Sequence, residues 1–252
     1  MNGKNDGSME TFILVRQDEN DNDNWWIEGR KLLFESQICA QVFGDKSKAL
    51  EIGPGTGSNL GAFESNGYSE IYISDVDVAP LTYCIGKGYK SATIADASKL
   101  PYRDETFTSI LAGDVLEHVP NDLAASFEIF RVLVTGSEAI LTVPAFMILW
   151  SQHDDAAGHK RRYTILEFRD LLESAGFEIM ELYYFNWILF LPTLIIKKLL
   201  NLFSPGRYSD ATSAPRYLNK GLTRLFLIDI WLAQRARVPF GISIFAKVRK
   251  PS

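Results

Sequence analysis

Cysteine and histidine are scarce in this sequence, and long apolar runs are missing. Among 252 residues there are two cysteines, Cys39 and Cys84, and three histidines. Two isolated thiols make neither a disulfide framework nor a cysteine-built zinc site, and they suit a reducing compartment. No apolar run reaches the ~20 residues that a membrane span needs. The first residues, MNGKNDGSMETFILVRQDENDND, lack the basic segment and long apolar stretch of a secretory signal. A soluble protein of the cytoplasm is expected. Apolar mass is plentiful: 46% hydrophobic against 23% charged residues supplies a core for one large domain and excludes wholesale disorder.

Charge is spread unevenly. Residues 1–150 carry 11 Lys and Arg against 22 Asp and Glu, a net −11, whereas 151–252 carry 15 against 9, a net +6. Within 186–252 the count is 11 basic to 2 acidic. A basic, apolar C-terminal third on an acidic chain points to an anionic surface or substrate, or to a solvated basic face.

Residues 1–24 read as a flexible polar tail, and 25–252 as one domain. Helical spacing over 25–43 places Trp26, Leu33, Ile38 and Val42 on one face, with Ile27 and Phe34 beside them, and predicts a covering helix. From Lys48 onward short apolar runs alternate with helical stretches. Strands are predicted at 49–52, 70–74, 92–95, 108–112 and 139–143, with helices between them. That pattern implies βαβ units and a parallel sheet with helices on both faces. A helix over 164–174, closed by Gly176, and strands at 177–184 and 241–248 follow. The 186–239 segment between the last two strands is too long for a turn and predicts a helical insertion, whose second helix, from Arg216, would bury Leu218, Leu222, Leu225, Phe226 and Leu232.

The most informative stretch is Ala49-Leu50-Glu51-Ile52-Gly53-Pro54-Gly55-Thr56-Gly57-Ser58-Asn59-Leu60. A buried strand runs into a glycine turn that opens a helix, and in open α/β sheets nucleotides bind there. A dinucleotide fingerprint needs glycine at position 58, where Ser58 stands, and a phosphate loop needs Gly-Lys-Ser/Thr. Neither pattern is present.

The spacing Glu51-x-Gly53-x-Gly55-x-Gly57 resembles the first motif of class I S-adenosylmethionine-dependent methyltransferases, in particular small-molecule bacterial enzymes of types 11 and 23. Further matches follow in order: Asp75 after the second strand, Asp96-Ala97 after the third, and LPYRDETFTSILAGDVLEHV into and past the fourth. The resemblance implies a Rossmann-like seven-stranded sheet, mostly parallel with an antiparallel C-terminal strand. It implies S-adenosyl-L-methionine as methyl donor and S-adenosyl-L-homocysteine as product. The cofactor residues it suggests are Glu51, Gly53, Pro54, Gly55, Thr56, Gly57, Asp75, Val76, Asp96, Ala97, Gly113 and Asp114. Asp75 would hold the ribose hydroxyls, since a carboxylate accepts two O–H donors from a diol; Asp77 is the fallback. Glu51, at the mouth of a buried strand, needs a cation or N–H donors.

On the acceptor side, the enzyme must chiefly align acceptor, methyl and sulfur, and a base is needed only for an acceptor with a tightly held proton. His118, with Asp114 four residues earlier, is either a base or a residue that shapes the pocket. His153 with Asp154 is a second candidate base and orienting carboxylate. His159, Arg161, Arg162 and Tyr163 are candidate substrate residues, the arginines for phosphate or carboxylate. The bland alternative pairs the arginines with nearby acids and makes Thr164 a helix cap. His153, Asp154 and His159 follow no recognised ligand spacing, so no metal is assigned.

The function expected is methyl transfer to a small molecule, with O-methylation favoured, the acceptor being apolar, lipid-linked, or related to glycans or secondary metabolites. Absence of an N/D-P-P-Y/F signature and the acidic first half argue against nucleic acid. Segment 186–239 reads as a lid, with a homodimer contact or a peripheral contact on anionic lipid at the inner membrane face as alternatives. A catalytically silent nucleoside-binding scaffold is the competing reading.

Overall fold

A computed structural model describes residues 24–39, 46–203, 216–236 and 238–252. The chain opens with helix α1 (Trp25–Cys39) and then alternates: β1 (Lys48–Ile52), α2 (Leu60–Ser65), β2 (Glu70–Asp75), α3 (Val78–Gly86), β3 (Ser91–Ile94) and β4 (Phe107–Gly113). After α4 (Asp122–Val132) and β5 (Leu133–Pro144) come a 3₁₀ turn (Met147–Leu149), α5 (Gln152–Ala156), α6 (Ile165–Ser174) and β6 (Glu178–Phe185). Helices α7 (Phe190–Phe203) and α8 (Arg216–Ala236) precede β7 (Ser243–Arg249). Val42 and Phe43, expected to extend the first helix, lie outside the described residues, as does the 1–23 tail.

The seven strands form one sheet in the order β3-β2-β1-β4-β5-β7-β6. Strands β1 to β5 pair in parallel, and β7 runs antiparallel to β5 and to β6. The order reverses between β1 and β4, where crossovers leave the sheet to opposite sides and open a crevice at the strands' carboxyl ends.

Both faces of the sheet are apolar because the central strands are hydrophobic at successive positions. On one face Leu50, Ile110, Leu141 and Ala246 meet Ala125, Ile129 and Val132 of α4 and Phe168 and Leu172 of α6. Their sequence neighbours Ala49, Leu111, Ile140 and Phe245 point the other way and meet α1, α2 and α8. The α6 helix starts with a reciprocal cap: Glu167 N–H donates to Thr164 Oγ1 (3.3 Å) and Thr164 N–H to Glu167 Oε2 (2.7 Å). It ends at Gly176, where φ is 100°.

Two expectations about the helices change. The face α1 buries is Trp25, Leu33, Phe34 and Ile38, with Trp26 and Ile27 only half-buried. On α8 the buried stripe is Phe226, Ile230 and Ala233, while Leu218, expected inside, is 46% exposed and Leu222, Leu225 and Leu232 are half-buried. The α8 helix therefore packs beside α1 as part of a layer over the sheet. The contact is close because Gly29 has no side chain: a Cβ there would stand 2.4 Å from the Phe226 ring. The start of α7 sits at the end of β5, with Phe190 edge-on to Phe146 (5.8 Å between centroids) and Phe146 stacked on Tyr184 (4.9 Å).

Candidate active site

The glycine turn closes β1 against the crevice. Gly53, Gly55 and Gly57 all have positive φ (68°, 53° and 74°), a region L side chains rarely adopt. A Cβ on Gly53 would also come 2.8 Å from Val115. The turn is pinned from outside: Gly53 N–H donates to Ser74 O (2.8 Å), Gly57 N–H to Pro54 O (2.7 Å), and Lys87 Nζ to Thr56 O (2.8 Å).

Beneath it Glu51 is buried, with Oε1 accepting from Asn59 Nδ2 (3.0 Å) and Oε2 having no partner. Burial pushes its carboxyl up to about 8 against the pull of Asn59 and Arg30. A buried acceptor without a donor, at a turn built from left-handed backbone, fits a cationic or N–H-bearing ligand.

Asp75, at the end of β2, is half-buried; its Oδ1 accepts Asp77 N–H (2.9 Å), and burial raises its carboxyl above the ordinary value. Val76 beside it and Ile94 at the end of β3 are 66% and 60% exposed, two apolar side chains next to the crevice. Ile94 escaped the sequence reading because a lone exposed isoleucine carries no motif. Asp96 is exposed and accepts from Ser98 N–H (2.8 Å) and Ser98 Oγ (2.7 Å), bonds that lower its carboxyl; Ala97 is buried.

Asp114 does not support His118 from a shared helical face. Residues 114–118 form a turn, Asp114 has φ 58°, and its carboxylate pairs with Arg30 of α1 and accepts from Thr142 Oγ1 (3.1 Å). Arg30 also donates to Thr142 (3.3 Å) and lies against Gly113, where a Cβ would come 2.8 Å from its guanidinium. Arg30 is the residue the sequence hid: its partner is 84 positions away, and no local pattern marks it.

The loop after β5 also differs from expectation. Asp154 is fully buried and orients His159, not His153: it accepts from His159 Nδ1 (2.9 Å), Arg162 Nε (2.7 Å) and Ser151 N–H (2.8 Å). Burial opposes ionisation, but His159 and Arg162 win and hold the carboxyl well below the usual range. Arg162 is buried and also donates to Ala145 O (3.1 Å). Arg161 pairs with Asp122 (2.7 Å). Tyr163 is buried, its hydroxyl donating to Asp122 Oδ2 (2.9 Å); burial and Asp122 raise its pKa. Arg161, Arg162 and Tyr163, offered as substrate residues, are thus paired within the protein, and all three line a cleft together with Asp122, Leu123 and Glu167. The His153 ring lies 6.1 Å from that of His159, which meets His118 edge-on at 4.6 Å.

Strand order, the reversal between β1 and β4, and an acid-backed glycine turn define a Rossmann-like α/β domain. Residues 50–141 match the methyltransferase-domain family. Comparison with curated protein sequences gives no match. In a complex between the Haloferax volcanii Trm112 methyltransferase activator and a methyltransferase, one chain is similar over 96% of both chains, at 14% identity and TM-score 0.64. A Bacillus halodurans C-125 methyltransferase is similar over 86% of this chain and 97% of its own, at 22% identity and TM-score 0.57. Phosphoethanolamine N-methyltransferase 2 of Haemonchus contortus, solved with S-adenosyl-L-methionine, is similar over 88% of this chain and 52% of its own (16% identity, TM-score 0.57). These likenesses show the shared fold. The family match adds that residues 50–141 are those of a methyltransferase domain.

Proposed function

We propose that this protein methylates a hydroxyl group on a small, largely apolar molecule, with S-adenosyl-L-methionine held against the glycine turn. The observation that carries the cofactor reading is the unpartnered Oε2 of buried Glu51 behind three left-handed glycines. In this reading Glu51 meets the donor's ammonium group, Asp75 the ribose diol, and Val76 and Ile94 flank the adenine. The donor supplies an activated methyl with a neutral leaving group, so the residues' work is alignment and exclusion of water.

His118 and His159 supply the polar side of the acceptor region. Its apolar side is read from exposed Met147 and Ile148, on the turn against which α7 packs, and from exposed Leu191, Ile195 and Ile196 on α7. These side chains favour an apolar or lipid-linked acceptor over a sugar. No helix among the described residues is long and apolar enough to cross a membrane.

Transfer of a labelled methyl group to a panel of hydroxylated and amine acceptors tests the reaction; labelling of amines alone would reject the hydroxyl assignment. Asp75→Ala is expected to raise the cofactor dissociation constant at least tenfold, about 1.4 kcal/mol. An unchanged constant in isothermal titration rejects the ribose role.

A further inference from the structure

The turn after β4 and the loop before α6 bring together three metal-ligating side chains. Glu117, His118 and His159 each offer one ligand atom, and these atoms lie within 4.8 Å of one another. Glu117 is fully buried, and neither of its carboxylate oxygens has a hydrogen-bond partner. A buried carboxylate left so is costly in its ionised form, and burial holds it protonated unless a cation meets it. The neighbouring guanidinium groups are spent elsewhere, Arg30 on Asp114 and Arg162 on Asp154.

His159 is held by Asp154 through Nδ1, which leaves Nε2 to ligate. A carboxylate behind the far nitrogen of an imidazole is the usual second shell of a metal-bound histidine, fixing ring and tautomer. The two loops are also tied by their backbones, Lys160 N–H donating to Glu117 O at 2.8 Å, so the cluster is built into the fold.

We propose that Glu117, His118 and His159 bind a divalent first-row transition cation, such as Zn²⁺, Fe²⁺ or Mn²⁺, with its remaining positions open to an oxygen of the acceptor. Two imidazoles and one carboxylate suit these ions better than Mg²⁺ or Ca²⁺, which favour all-oxygen shells. Three protein ligands leave room for an outside oxygen, as in catalytic sites. A hydroxyl ligated there releases its proton to solvent near neutral pH. Its oxygen lone pair then forms the C–O bond while the C–S pair stays on sulfur. This use of the cation rests on the methyl-transfer reading; cation binding does not.

Isothermal titration of the chelator-stripped full chain with Zn²⁺, and in parallel with Co²⁺ followed by visible absorption, tests the site. The expected result is one cation per chain, with affinity reduced at least tenfold in Glu117→Gln and in His118→Asn. Circular dichroism of each variant confirms folding, and His118→Asn, at the exposed member of the cluster, is the variant to read if Glu117→Gln misfolds. No saturable uptake, or uptake that both folded variants retain, overturns the proposal. Titration with S-adenosyl-L-methionine in excess chelator separates the two readings: failure there rejects the cofactor assignment and leaves the cation result standing.

Discussion

Glu51 shows how one residue ties stability to ligand binding. Its native carboxyl holds a proton up to about pH 8, while the unfolded chain releases it near 4.5. The native state therefore binds more protons in that window, and without ligand its stability falls as pH rises through it. A ligand ammonium prefers the ionised carboxylate and reverses the sign. Cofactor affinity is expected to climb between pH 6 and 8, by up to tenfold or ~1.4 kcal/mol per unit, and then to flatten. Titrations across that range check this, and Glu51→Gln should remove the slope. At this scale the sequence was most legible for the glycine turn, because its left-handed backbone is a property of residue type. It misled for Asp154: adjacency suggested His153, but α5 carries the carboxylate round to His159 and Arg162.

At the scale of elements, strand and helix positions followed from apolar periodicity with shifts of a residue or two at most ends. The longer shift is β5, which begins at Leu133, directly after α4 and six residues before its predicted start. The face a helix buries was harder to read. Apolar residues surround α8, so periodicity could not choose its inward stripe; the partner helix chose it, through the bare face at Gly29. Gly29→Ala should improve helix propensity by about 1 kcal/mol and still destabilise the protein by a net ~1–3 kcal/mol, because the methyl must displace the Phe226 ring. Thermal and denaturant unfolding measure that sign; a gain in stability would show that α1 and α8 can part without cost.

For the whole molecule, the ion pair between Arg30 and Asp114 joins the first helix to the crevice. Removing one partner leaves a partly buried charge, so Arg30→Ala and Asp114→Ala should each destabilise. Their double mutant should cost less than the two together, with a coupling of about 0.5–3 kcal/mol. Additive losses in denaturant unfolding would dissolve the link. The charge asymmetry also takes a different meaning in three dimensions. Lys247 and Arg249 of β7 meet buried Glu138 (3.3 and 2.7 Å), and Lys250 meets Glu105 (3.3 Å). Part of the basic C-terminal excess thus neutralises acids of the first half and is not offered to a partner.

The sequence by itself determined the α/β alternation, the glycine turn and the acids at the strand ends, because each depends on local periodicity, backbone sterics or position next to a strand. Only the tertiary structure decided which groups meet across the chain: Arg30 with Asp114, Asp154 with His159, and Glu117 with two imidazoles. Contacts between distant segments are set by sheet order and helix packing, and in those the spacing along the chain leaves no trace.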